Sequence, residues 1–100
     1  MKKEDIEIKI AQLVGLFDYL LSKEDFPAYK KLKENYYKLF CTIQQRAKLE
    51  DVQEVDFRVV QSYFRIMLEA PPRDMLLGKY ILDRMQEIYD MQIKIIKPAK

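Results

Sequence analysis

Two glycines, Gly15 and Gly78, and four prolines are the only strong backbone punctuation in this chain of 100 residues, and the prolines that interrupt its body fall at Phe26-Pro27 and Pro71-Pro72. Between these points run four long stretches whose apolar residues recur every three or four positions, the period of one helix face. Sheets need frequent turns, and a sequence with so few turn-forming residues is confined to long helices. The expected fold is therefore all-α. It is an antiparallel four-helix bundle with helices at about 4–22, 26–47, 51–70 and 73–97, closed within the chain or completed and extended by dimerisation. One core and one domain, residues 1–100, are expected at this length.

In the first stretch Ile6, Ile10, Leu13, Phe17 and Leu20 form the stripe, with Val14 and Leu21 beside it. Ile6 to Ile10 also alternates with period two, as does Met91 to Ile95, a pattern that would suit a small strand pair joining the termini. No turn residue separates the alternating part from the helical part, so helix is the reading adopted. Asp25 is the expected N-cap of the second helix, with Pro27 in its first turn, where the missing N–H costs nothing. That helix carries Tyr29, Leu32, Tyr36, Leu39, Phe40, Ile43 and Ala47 on its apolar side.

The third boundary has no proline or glycine and is read from phase. At about 100° per residue, the stripe of the second helix and the run Val52, Val55, Val59, Tyr63, Ile66 and Ala70 point roughly 150° apart, so one straight helix would face its core in opposite directions. A turn near Lys48–Asp51 restores a common core, and Asp51 with Glu54 has the form of a capping box. Phe57, Val60, Phe64 and Leu68 widen the third apolar arc. In the fourth helix Leu77, Ile81, Met85, Ile88 and Ile95 make one row and Met75, Leu82, Tyr89 and Ile96 a second. Helices three and four thus carry more apolar surface than one neighbour covers.

Histidine and tryptophan are absent and cysteine occurs once, as Cys41. Without histidine there is no ordinary nucleophilic triad and no Glu-x-x-His di-iron motif. No phosphate-binding glycine loop or paired-cysteine zinc spacing occurs. No catalytic residue, metal ligand or cofactor is assigned, and a non-enzymatic protein is expected. A lone cysteine cannot form an intramolecular disulfide, which suits a reducing cytoplasm. Acidic Glu4, Asp5 and Glu7 follow Met1-Lys2-Lys3 where a signal peptide would turn apolar. The longest apolar run, Leu13–Leu21, is about half the ~20 residues of a membrane helix.

Net charge is +2, spread unevenly. Residues 23–48 hold seven cationic and three anionic side chains, and residues 49–72 two and five, so neighbouring helices complement each other. The preferred function is protein–protein interaction, as a regulatory, inhibitory or immunity-type factor that binds a partner protein or a second copy of itself. Its expected surface is Phe57, Tyr63, Phe64, Leu82 and Tyr89. Tyr19, Tyr37 and Tyr80 fall off the main stripes, where they either close the core edges or serve an interface. An alternative is nucleic-acid binding through Lys30, Lys31, Lys33, Lys38 and Lys48. A third is a Mg²⁺-dependent nucleotide hydrolase using the pairs Glu4/Glu7, Asp51/Glu54 and Glu87/Asp90. No motif assigns a family. Helical bundles of this size occur among bacteriocin-immunity proteins and phage-type inhibitors, an analogy of fold that assigns no residue.

Overall fold

The computed structural model describes residues 2–53 and 63–96, and for residues 63, 64 and 96 it describes the backbone alone. All regular structure among the described residues is helical: α1 (Lys3–Lys23), α2 (Pro27–Gln44), a 3-10 turn (Leu49–Asp51), α3 (Tyr63–Glu69) and α4 (Met75–Ile96). No strand pair joins the termini within them. The alternating segments are helix, with Ile6 and Ile10 buried and Ile8 between them 55% exposed.

α1 packs against two of the other helices. Its five stripe residues, Ile6, Ile10, Leu13, Phe17 and Leu20, are each 0% exposed, and the helix packs against both α2 and α4. Lys3 at the start of α1 reaches the end of α2, and Asp18 near its end pairs with Lys33 of α2. Lys9 pairs with Glu87 at 3.0 Å and Lys23 with Asp74 at 3.5 Å. Phe17 and Tyr36 stack across the α1–α2 contact with ring centroids 6.0 Å apart. On α2 the buried set is Tyr29, Leu32, Tyr36, Leu39 and Ile43, and on α4 it is Leu77, Ile81, Met85, Ile88 and the polar Gln92.

Helix ends explain where the boundaries differ from expectation. α2 stops at Gln44 rather than 47, because the Lys3 ammonium accepts a place among its last carbonyls, donating to Gln44 O at 3.1 Å and Arg46 O at 2.5 Å. A helix C-terminus leaves such carbonyls without partners, and a cation is favoured there by charge as well. Ala47 is consequently exposed. The N-cap of α2 is Phe26, not Asp25, since Pro27 at the first helical position holds its predecessor extended, at φ −118° and ψ 122°.

The turn read from phase is present, but Asp51 plays the opposite part in it. Its carboxylate reaches back to accept from the Lys48 N–H at 3.2 Å, closing the 3-10 turn, and Val52 beyond it is extended, so no helix starts at Asp51. Asp5 does the same for the Lys2 N–H at the head of α1. Expectations for Glu54, Val55, Phe57, Val59 and Val60 lie outside the described residues. Among the described side chains of α3, Met67 is turned fully into the core, while Leu68, expected on the apolar arc, is 69% exposed. α4 begins at Met75, not 72 or 73, because Asp74 supplies the cap: its Oδ1 accepts from Leu77 N–H at 3.1 Å.

The two glycines have opposite surroundings. A Cβ on Gly15 would meet nothing within 4 Å, whereas one on Gly78 would lie 3.2 Å from Cδ of Pro72. Gly15→Ala is expected to raise stability by about 0.5–1 kcal/mol, the helix-propensity difference. Gly78→Ala is expected to lose that gain to the proline ring. Urea denaturation of the two variants beside the parent checks the contrast; equal gains would show that Pro72 does not hold Gly78 closely.

Candidate functional site

Apolar side chains left in solvent gather where α3 hands over to α4. Met75 is 84% exposed, Leu76 74%, Leu68 69% and Tyr80 62%. Between the two helices lies a cleft of about 210 Å³ lined by Met67, Pro71, Pro72, Met75, Gly78, Lys79 and Leu82. Met67 is its fully buried floor. Only Lys79 brings a charge to this lining.

Four contacts fix the corner that carries the cleft. Tandem prolines end α3 at Glu69, so the Ala70 carbonyl lies beyond the helical hydrogen-bond ladder and takes its donor elsewhere. Tyr29 of α2 provides it, its hydroxyl donating to Ala70 O at 2.7 Å. Burial, and then the Glu24 carboxylate, push the Tyr29 hydroxyl above its ordinary pKa, which keeps it a donor. Both Glu24 oxygens accept from the Arg73 N–H at 3.0 Å. Asp74 caps α4, held below the usual carboxylate range by the Leu77 N–H first and by Lys23 after it. Lys23 is in turn held up by the Tyr19 side chain, over whose ring it sits at 4.8 Å, and then by Asp74. Beside these groups a second recess of about 310 Å³ is lined by Lys23, Glu24, Asp25, Phe26 and Arg73.

Of the expected partner surface, Leu82 lines the cleft and is half-buried, and Tyr89 is half-buried two turns further along α4. Tyr63 and Phe64 lie on α3, where only their backbone is described, and Phe57 is outside the described residues. Tyr19, Tyr37 and Tyr80 are all more than half exposed, so they do not close the edges of the core. Sequence reasoning missed Met67, Leu76 and the proline wall. The available signal was the pair Leu76 and Tyr80, four apart and out of phase with the Leu77–Ile88 row.

On the basic face Lys30, Lys31, Lys38 and Lys48 are exposed, while Lys33 is tied to Asp18. The carboxylates considered for Mg²⁺ are engaged separately. Glu7 pairs with Lys3 at 3.5 Å, Asp90 accepts from Gln86 at 3.0 Å, and Glu87 accepts from Arg84 at 2.9 and 3.0 Å. Glu87 is held below the ordinary carboxylate range by Lys9 first and Arg84 second. Among the described residues no three His, Cys, Asp or Glu side chains gather as a metal site, and no helix is long and apolar enough to cross a membrane. Compared with known proteins, the chain matches no family model, no curated protein and no solved structure.

The corner makes a specific demand on Tyr29. Tyr29→Phe is expected to lower stability by about 1–2 kcal/mol, the cost of leaving a partly buried carbonyl without its donor. Chemical denaturation measures it. A change below ~0.3 kcal/mol would mean that the Ala70 carbonyl is adequately met by water.

Proposed function

We propose that this chain is a non-enzymatic, cytoplasmic four-helix bundle that acts by binding protein, as a small regulatory, inhibitory or immunity-type factor. The observation that supports this reading is the apolar cleft between α3 and α4, lined by the exposed Met75, with Leu68 and Leu76 also exposed on the two helices. Clustered exposed apolar side chains of this kind mark interaction surfaces, whereas apolar residues scattered singly do not. The cleft is walled by two prolines in a corner held by four separate contacts, so an occupant would meet a shape that is already formed. Its size suits one or two apolar side chains, the anchor-in-pocket arrangement that dominates binding energy at protein interfaces.

Nucleic-acid binding has less support, because the exposed lysines of α2 are diluted by Glu34 on the same face and by the Asp18–Lys33 pair. It predicts affinity that falls steeply with salt.

Light scattering across a concentration series, with an apolar dye as a second readout, tests the protein-binding reading. The expected result is a molar mass above the 12.1 kDa of one chain, or a monomer that binds dye and loses most of that binding in Met75→Glu and Leu68→Glu. A strict monomer without dye binding would contradict it.

A further inference from the structure

The side of α1 opposite its buried stripe is bare, and its residues follow a symmetrical order. Glu4, Ile8, Gln12, Gly15, Tyr19 and Lys23 succeed one another at steps of four, four, three, four and four, all exposed and all within the helix Lys3–Lys23. At about 100° per residue they share an arc of about 100°. Ile8 and Tyr19, 55% and 51% exposed, lie near its middle and the two charges at its edges. Among the described residues Glu4 has no ion-pair partner. Lys23 lies over the Tyr19 ring at 4.8 Å and stands 3.5 Å from Asp74. Gly15 is the odd member of the strip. An interior glycine weakens a helix, yet its φ is not positive and a Cβ there would meet nothing within 4 Å, so no described neighbour calls for it.

We infer that a second copy of this chain covers this face, α1 against α1 in antiparallel sense about a twofold axis level with the Leu13–Val14 peptide. In such a contact residue i meets j and j meets i, so the surface must be complementary to itself. Reversal about that point exchanges 4 with 23, 8 with 19 and 12 with 15. Ile8 then packs on Tyr19 of the second copy, Glu4 faces its Lys23 and Gly15 its Gln12, each contact made twice. Gly15 stands next to the axis, where the helices come closest, and its missing side chain lets them approach. From Glu4 to Lys23 the strip runs about 28 Å, with the ion pairs at the ends and the apolar pairs between them. Its steps are mostly of four, longer than one helical turn, so the strip drifts round the helix and the two helices cross at an angle.

Apolar contact supplies the affinity and the terminal charges set register and direction. Parallel pairing would oppose Glu4 to Glu4 and Lys23 to Lys23. A nucleic acid or an anionic membrane would be repelled by Glu4, and nothing in an unrelated apolar partner would call for opposite charges at equal distances from one centre. Six residues a side make a contact below the ~800 Å² per partner of a standard interface, so association in the micromolar range is expected. The inference rests on the reading that the chain works through protein contacts, and names the chain itself as one partner, on a face separate from the α3–α4 cleft.

A charge swap tests it by sedimentation or light scattering, with circular dichroism confirming that each variant is folded. Glu4→Lys and Lys23→Glu singly are expected to weaken self-association at least tenfold. The double variant, and an equimolar mixture of the two single variants, are expected to recover it, because each then places opposite charges across the axis again. Gly15→Lys fills space that is open in the single chain and is expected to abolish association without loss of helix. A wild-type chain that stays monomeric to millimolar concentration overturns the inference, and if it still binds apolar dye through the α3–α4 cleft the broader protein-binding reading stands. Self-association that ignores the swaps overturns this register, and self-association that survives Gly15→Lys overturns this face, both leaving that reading intact.

Discussion

Everything in this fold leans on one narrow stripe. Ile6, Ile10, Leu13, Phe17 and Leu20 are removed from solvent completely, and the helix that carries them meets both α2 and α4. Burying side chains of this size is worth about 1.5–3 kcal/mol each, several times the ~0–1 kcal/mol of an exposed ion pair. The stripe therefore supplies the cohesion, and the charges at its rims select the register. Lys3 finishes α2, Asp18 holds Lys33, Lys9 holds Glu87 and Lys23 holds Asp74. Lys3 thus serves its own helix through Glu7 and its neighbour through the last carbonyls of α2.

That arrangement determines which surface is left over. α4 spends Leu77, Ile81, Met85 and Ile88 on the core, and the corner formed by Tyr29, Glu24 and Asp74 holds its first turns in place. Met75, Leu76 and Tyr80 are then left mostly in solvent. The corner and the exposed residues belong to one another: the prolines that stop α3 form the cleft wall, and the contacts of Tyr29, Glu24 and Asp74 hold the chain that follows.

The stripes of α1 and of α2 up to Ile43 were legible in the sequence, because one buried face in steady three–four steps admits one phase, whereas Ala47 lies past the end of α2 and is exposed. The turn after α2 was legible for the same reason, through the reversal of its apolar side. Caps were harder. Proline at position 27 forces Phe26 into the capping place, and Asp51 proved to close a turn rather than open one, since an acidic residue serves either end of that motif. In α3 and α4 so many residues are apolar that several phases fit. Met67 was hidden behind Ile66 and Leu68, and Gln92 occupies a core position that its polarity conceals, with its Oε1 lacking a hydrogen-bond partner. Of the expected surface residues whose side chains are described, Leu82 lines the cleft and Tyr89 does not.

Native-state hydrogen exchange of the backbone amides tests the central claim, that α1 organises the rest. The account predicts that the amides of Ile10 to Leu20 exchange only through global unfolding, with the highest free energies in the molecule, while those of the first turn of α4 open at lower cost. Exchange of the α1 amides through a partial opening that leaves α2 and α4 protected would contradict it.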